Sequence, residues 1–596
     1  MLIELKSKLS EIMHKEKFPL MAVVAFSIFI CLALIIINSS SNILGHNYRD
    51  AYLYLIQAYH FAGTPIGGYD YVNYYSPLIP FLTSLLFRLG FVSEASLFAV
   101  TGLFYPIAVI GIYFLLNLRF DKFYSMLGAI LYGSMSINLM WTANGTLDIP
   151  SVALSIWAVY FFIKGLESNQ KFFYLAFPLL VLSVFAKYTG ALTILVMMVY
   201  LLSKRDIIGN FVKYIKNIIG GIITSFVFII PFLSYYVING LPFGFINQAR
   251  EVSTETVSSN TAAVPANDLF FYISSLPRFI YSPQKILGYF ILLVAAVGVI
   301  YGIYKLINYL KEHYKDSANR LEISFYPKIR LNKNVCFIAL AVSIIMIILT
   351  FLTAGMTSFI ISELLLLIGL AIFASCFNSI FTDLADIDYA NDKETSSKYK
   401  YFRFDFAMIS WFLIYLVFFS SHLIKADRYF TALVPGFVFI LVYSIERVTY
   451  LLRNNNSKFN ISKEKAAKGF LAMLLILLLA ASIGYLTIDR HDTLVDNEIE
   501  TAKWIESNVD YENMTIYADR GPIYTWYLSS EVDYCPSSVN ISELGDYLNE
   551  QNASYYIMTP LEDNVNYDYF QNKDSIEGFT KIKTFGEVKV YKNNAK

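Results

Sequence analysis

Residues 18–48 read FPLMAVVAFSIFICLALIIINSSSNILGHNY, a run without a single Asp, Glu, Lys or Arg. A bilayer core of about 30 Å takes roughly 20 apolar residues as helix. This run is long enough to cross it. The Lys-containing stretch before it lacks a convincing cleavage site, so the run reads as an uncleaved first span rather than a signal peptide. The same criterion, applied outward along the chain, selects Ala95–Leu118, Phe123–Leu147, Ile149–Ile163, Phe172–Ala186, Tyr188–Ser203, Asn217–Ala249 and Ile286–Tyr304. It then selects Asn334–Ser362, Leu364–Thr382, Phe406–Ile424, Tyr429–Ile445 and Gly469–Ile488. The expected fold is a mainly α polytopic membrane protein with about thirteen transmembrane helices.

Composition agrees. The chain is 56% hydrophobic and 15% charged, with a mean hydropathy of +0.51. Soluble domains carry about 25% charged residues. A net charge of zero offers no electrostatic footprint for nucleic acid. The 46 Tyr and 49 Phe suit both membrane interfaces and sugar sites, so they do not separate the two. Cys31, Cys336 and Cys376 lie in apolar runs and read as small core hydrophobes, and Cys535 stands apart near the C-terminus. No disulfide framework or Cys/His metal spacing is present.

Basic residues set the orientation. With the N-terminus in the cytoplasm, the inner segments hold 29 Lys and Arg. The outer loops before residue 489 hold eight: Arg49, Arg88, Lys187, Arg250, Arg278, Lys285, Lys425 and Arg428. The chain is therefore expected in the cell membrane as a multi-pass protein, divided into a transmembrane unit (1–488) and an extracytoplasmic domain (489–596). The latter carries 20 acidic and 9 basic residues. Helix-like Thr501–Asn508 and Ile541–Glu550 alternate there with strand-like Met514–Ala518 and Ser554–Met558. A hairpin-like tail, Thr580–Tyr591, has Gly586 at its turn. This predicts a small α/β fold. No internal repeat is evident of the kind that marks many transporters.

Two outer loops are long, residues 39–94 and 240–285. In the first, Arg49–Ala62 reads as a helix stopped by Gly63, and Pro77–Leu89 as a second, with Ser76 as N-cap and Gly90 past its end. Both are apolar enough to lie in the membrane interface.

Candidate chemistry gathers on this outer side. Asp50 opens the first loop helix, with Tyr54 and Gln57 on its face. Its carboxylate could take a proton from an acceptor hydroxyl, or merely favour the helix dipole. Asp148, in Asn144-Gly145-Thr146-Leu147-Asp148-Ile149-Pro150, could orient an acceptor, hold a metal ion, or serve as an N-cap. Asn144-Gly145-Thr146 is also a glycosylation sequon, too near the membrane to be an easy acceptor. Lys187, in Phe185-Ala186-Lys187-Tyr188-Thr189-Gly190, opposes the inward bias of positive charge. It either meets a lipid phosphate or snorkels. Lys425 and Arg428, in Lys425-Ala426-Asp427-Arg428-Tyr429, could clamp a phosphate leaving group or pair locally with Asp427. His422, an isolated His one turn earlier, reads as structural. Asp386-Ile387-Asp388 imitates a metal-binding Asp-x-Asp signature but falls in an inner, polar loop. Glu363 is a single acid near an outer span end. No metal ligand set emerges, so a divalent ion stays an open expectation.

Taken together, these motifs resemble the GT-C superfamily of polyprenyl-phosphate-sugar-dependent glycosyltransferases, and most closely its protein O-mannosyltransferase and aminoarabinose-transferase branch. The resemblance rests on Arg49-Asp50-Ala51-Tyr52, Tyr75-Ser76-Pro77-Leu78-Ile79-Pro80, Thr146-Leu147-Asp148-Ile149-Pro150, Ala186-Lys187-Tyr188-Thr189-Gly190 and Lys425-Ala426-Asp427-Arg428-Tyr429, in that order. It implies that Asp50 serves the acceptor, that Asp148 supports the site, and that Lys187, Lys425 and Arg428 hold the carrier phosphate. The loop helices would form a platform at the membrane surface. Two motifs depart from the family. Arg49-Asp50 stands where protein mannosyltransferases carry Asp-Glu, and Tyr75-Ser76-Pro77 where aminoarabinose transferases carry Glu-Lys-Pro.

The expected function is transfer of a sugar from a polyprenyl-phosphate carrier to a protein, glycan or lipid acceptor, among membrane lipids and without nucleic acid. A transporter or flippase of lipid-linked glycans would need similar outer cations. An inactive scaffold that uses the C-terminal domain to bind a partner is a third reading.

Overall fold

The computed structural model describes residues 17–40, 50–66, 75–202, 211–241, 244, 268–316, 323–326, 329–331, 333–353, 361–362, 364–373, 376, 402–421, 425–454, 463–489, 493–536, 539, 541–560, 565–570 and 573–596. Arg49, Glu363, Asp386, Asp388, His422 and most of the second long loop lie outside this set.

Each of the thirteen apolar runs carries helix. Among the described residues, eight helices are long and apolar enough to cross a membrane. They include α1 (Phe18–Ser40), α4 (Glu94–Leu116) and α7 (Asp148–Glu167). The other runs hold shorter pieces, such as α8 (Phe173–Ala186) and α9 (Thr193–Leu202). Run 123–147 is not one rod. It divides into α5 (Lys122–Ser134) and α6 (Ser136–Trp141), with Met135 extended between them. The break frees backbone carbonyls that apolar surroundings cannot solvate. Side chains take them up: Asn138 Nδ2 donates to Tyr132 O at 2.7 Å, and the Tyr105 hydroxyl to Gly133 O at 2.8 Å.

The first loop forms the two expected helices, α2 (Asp50–Ala62) and α3 (Leu78–Arg88). Gly63 and Gly90 end them with φ of +95° and +91°, a conformation glycine adopts without a Cβ penalty. Pro77, rather than Ser76, occupies the N-cap position of α3, and no side chain caps that end. Nor does α2 lie open in an interface. Leu53, Tyr54, Leu55, Ile56 and Gln57 are consecutive and all buried, so the helix is enclosed by protein on every side.

Beyond α10 (Phe211–Ile238) come α11 (Lys285–Asp316), α12 (Lys333–Leu352), α13 (Phe402–Ser421), α14 (Val434–Asn454) and α15 (Lys463–Leu486). The C-terminal segment then adds α16 (Thr493–Asn508), α17 (Gly521–Leu528) and a six-stranded sheet. In spatial order its strands are Asp533–Tyr534, Ile516–Ala518, Tyr555–Met558, Val588–Asn593, Phe579–Phe585 and Ser575–Ile576. The first three run parallel and the remaining pairings are antiparallel. The expected hairpin is present, with Gly586 at φ +52° in its turn. Cys535 is buried in this domain, where burial pushes its thiol pKa up.

Candidate active site

Contacts link the end of α1, the starts of α2, α4 and α7, the end of α8 and the loop before α14, and α17 of the C-terminal segment packs on α2 beside them. Asn38, buried near the end of α1, donates to Thr142 O at 3.2 Å and Ala143 O at 2.8 Å. These bonds pin the loop that leads into Asp148. Asn144 of the sequon is buried in that loop, consistent with a poor acceptor for glycosylation.

Asp148 is the first residue of α7, one position past the N-cap, which Leu147 fills. The capping reading of Asp148 is therefore set aside. Its carboxylate instead forms an ion pair with Lys187 across 39 residues of sequence. Lys187 stands where α8 ends. Its backbone is extended (φ −158°, ψ 132°), and the chain tightens into a 3-10 turn, Tyr188–Leu192. Gly190 makes this approach feasible, because a Cβ there would lie 2.7 Å from Ser183 O and 2.8 Å from Ser151 Oγ. Asp148 is 3% exposed, and its Oδ2 has no hydrogen-bond partner among the described residues.

From Lys187 the site continues into the loop before α14. Its ammonium lies 4.7 Å from the centroid of the Tyr429 ring, and the Arg428 guanidinium lies 5.4 Å from the same centroid. Tyr429 is held by stacking on Phe419, with centroids 4.8 Å apart. Arg428 Nη2 reaches Asp50 Oδ2 at 3.5 Å. The result is one array, Asp50, Arg428, Tyr429, Lys187, Asp148, drawn from four separate parts of the chain. Four of the five sequence candidates meet in it directly.

The fifth, Lys425, is three residues before Arg428 and 3% exposed. Burial lowers its pKa, and nearby Asp268 partly offsets this. Asp427 does not serve as the local partner of Lys425 or Arg428. Its carboxylate accepts from Arg278 Nη2 at 2.7 Å, and burial raises its pKa against that cation. Sequence reading does not place Arg278 at the phosphate, yet it belongs to the same loop cluster. It is one of the eight cations expected in the outer loops, so the signal is available. Tyr429 stands within a sequence motif, but nothing in that motif marks it as the ring on which two cations converge. Gln57 carries a signal of another kind: it is 1% exposed, and neither amide atom has a hydrogen-bond partner among the described residues. The described residues contain no cluster of three or more His, Cys, Asp or Glu side chains suited to a metal ion.

A narrow cleft beside the array is lined by Asp148, Ser151, Ser155, Lys187, Thr189 and Tyr415. The array can accept a proton at a carboxylate and bind a dianion at converging cations.

Residues 75–235 match a family model described as dolichyl-phosphate-mannose-protein mannosyltransferase. That stretch contains the Tyr75-Ser76-Pro77, Asp148 and Lys187 motifs. No curated protein matches the chain by sequence. The fold is similar to that of ArnT from Cupriavidus metallidurans bound to undecaprenyl phosphate, with a TM-score of 0.52 and 11% identity over 96% of this chain and 98% of that one. The apo state of the same protein gives a TM-score of 0.52 and 12% identity. The oligosaccharyltransferase of Archaeoglobus fulgidus, in a complex with zinc and sulfate, aligns with 90% of this chain and 67% of its own at a TM-score of 0.43 and 12% identity. The chain thus shares, over nearly its whole length and with the C-terminal segment included, the fold of that ArnT structure.

Proposed function

We propose that this protein is a glycosyltransferase that moves a sugar from a polyprenyl-phosphate carrier to an acceptor hydroxyl. The observation that carries the reading is the array itself, with an acid at each end and two cations converging on one ring, at one mouth of the bundle. The GT-C fold supports it, and so does the undecaprenyl phosphate bound to the similar ArnT structure.

The acceptor oxygen attacks the anomeric carbon while Asp50 takes its proton. The bond from that carbon to the phosphate oxygen breaks, and the phosphate leaves with the electron pair. Lys187, Lys425 and Arg428 stabilise the charge that develops on it. Asp148 holds Lys187 in place. Attack opposite the leaving group inverts the anomeric centre. Arg428 has two roles in sequence: it keeps Asp50 company before donor binds, and turns to phosphate when donor arrives.

The same reading places the N-terminus in the cytoplasm and residues 489–596 outside, on the 29-to-8 bias of basic residues. Residues 1–488 are then the membrane unit, and the reaction takes place at the extracytoplasmic face. Purified protein incubated with a labelled polyprenyl-phosphate sugar and a hydroxyl acceptor is expected to release carrier phosphate and label the acceptor. Passage of the intact labelled lipid across a vesicle, without cleavage, would instead identify a transporter.

A further inference from the structure

Among the described residues, the C-terminal domain packs on the membrane unit through the short helix α17, and Val495 of α16 lines the same junction beside Tyr52 and Phe98. Trp526 and Tyr527, adjacent in α17, leave the sheet and enter the core of the bundle. Trp526 meets three elements at once. Its Nε1 donates to Glu94 Oε1, in the first turn of α4, at 2.8 Å. Its ring lies 5.4 Å from Tyr59 of α2 and stacks at 6.0 Å on Phe87 of α3. Tyr527 meets Tyr52 of α2, hydroxyl to hydroxyl at 3.2 Å and ring to ring at 5.9 Å.

Tyr52 shares the first turn of α2 with Asp50. At about 100° per residue, positions two apart face nearly opposite ways. The first turn is therefore gripped from two sides: Arg428 meets Asp50 on one, and Tyr527 meets the fully buried Tyr52 on the other. The grip has a rigid base. Arg520, the residue just before α17, is paired with Glu498 of α16 at 3.2 Å, both buried, and Asp519 accepts from the Tyr556 hydroxyl at 2.7 Å and the Thr559 amide at 2.9 Å.

We infer that Trp526 and Tyr527 are positioning residues, through which the C-terminal domain fixes the first turn of α2 and so aims Asp50 at the acceptor. The inference rests on the function proposed above. The domain is then part of the reaction site, although none of its own side chains belongs to the Asp50-to-Asp148 array.

A double-mutant cycle in the full-length protein tests this, with transfer rate and donor affinity measured separately. Trp526→Ala is expected to lower turnover by about 10- to 100-fold, in the range for misplacing a reacting group by roughly 1 Å. Donor affinity is expected to stay within about twofold, because the phosphate cations stand on other elements. In an Asp50→Asn background, Trp526→Ala is expected to add less than about twofold, since it acts through the group already lost. Glu94→Gln keeps an oxygen acceptor for the indole and is expected to retain activity, whereas Glu94→Leu loses it. Should Trp526→Ala fail to elute as a monodisperse protein, Tyr527→Phe, which removes one hydroxyl, takes its place in the cycle. A severe Asp50→Asn effect that Trp526→Ala or its replacement still multiplies in full overturns the positioning role alone. A near-wild-type Asp50→Asn rate overturns the base assignment and the positioning role with it. Wild-type turnover in both Trp526→Ala and Tyr527→Phe also overturns the inference.

Discussion

Replacing Lys187 with Met separates what its ion pair does for stability from what the cation does for phosphate. In the structure Asp148 is nearly inaccessible, and Lys187 is its ion-pair partner. Removing the ammonium leaves a buried carboxylate uncompensated, which costs about 3–5 kcal/mol. Removing both charges, in Asp148→Leu with Lys187→Met, leaves an apolar pair whose cost is near zero in comparable cases. Apparent Tm in detergent should therefore fall clearly in the Lys187→Met variant and recover most of the loss in the double variant. Phosphate binding should not recover. A charge-assisted contact is worth about 1.5–3 kcal/mol, so both variants should bind donor roughly 10- to 150-fold more weakly. Competition from Asp148 for the same ammonium makes the lower end of that range the expected one. Thermal unfolding and equilibrium binding of a labelled polyprenyl-phosphate sugar, run on the same samples, give the two readouts. A double variant as unstable as the single would refute the buried-pair argument. Recovery of donor affinity along with Tm would show that Lys187 serves only Asp148.

Asp50→Asn is expected to bind donor normally and to lose roughly 10²–10⁴-fold in turnover, the usual cost of removing a general base; single-turnover rates within about threefold of wild type would leave Asp50 a purely structural role at the start of α2. Lys425 binds phosphate only as the ammonium, which is present below its pKa and lost as pH rises through it. Because burial lowers that pKa, wild-type donor affinity should decline on the alkaline side before the ordinary lysine value of about 10.4 is reached, and Lys425→Arg should remove that decline. A pH titration of donor affinity that stays flat up to that value speaks against it. For topology, a Cys in place of the exposed Lys596 should react with an impermeant reagent on intact cells, and protection until permeabilisation would reverse the orientation. Cys535 cannot serve, being 2% exposed.

The sequence by itself determined the local features. Apolar length predicted where helix would lie, because a bilayer core demands it wherever the chain crosses. Gly63, Gly90 and Gly586 marked two helix ends and a hairpin turn by their freedom at positive φ. The Lys and Arg that stand in the expected outer loops drew notice to Lys187 and Arg428, which the structure brings together on the Tyr429 ring. Tertiary structure decided the partners. No pattern within residues 148–187 says that Asp148 meets Lys187 rather than caps its own helix. That depends on how α7 packs on α8 and on the small volume of Gly190 between them. The Asp427 partner, Arg278, comes from a loop about 150 residues away, and the Asp50 partner from 378 residues away. The break at Met135 was hidden because an apolar run has no mark at a point where the bundle supplies replacement hydrogen bonds. The grip of Trp526 and Tyr527 on the first loop lay furthest out of reach. Two aromatic residues in a short helix look like ordinary core until packing shows that the core they enter belongs to the other half of the chain.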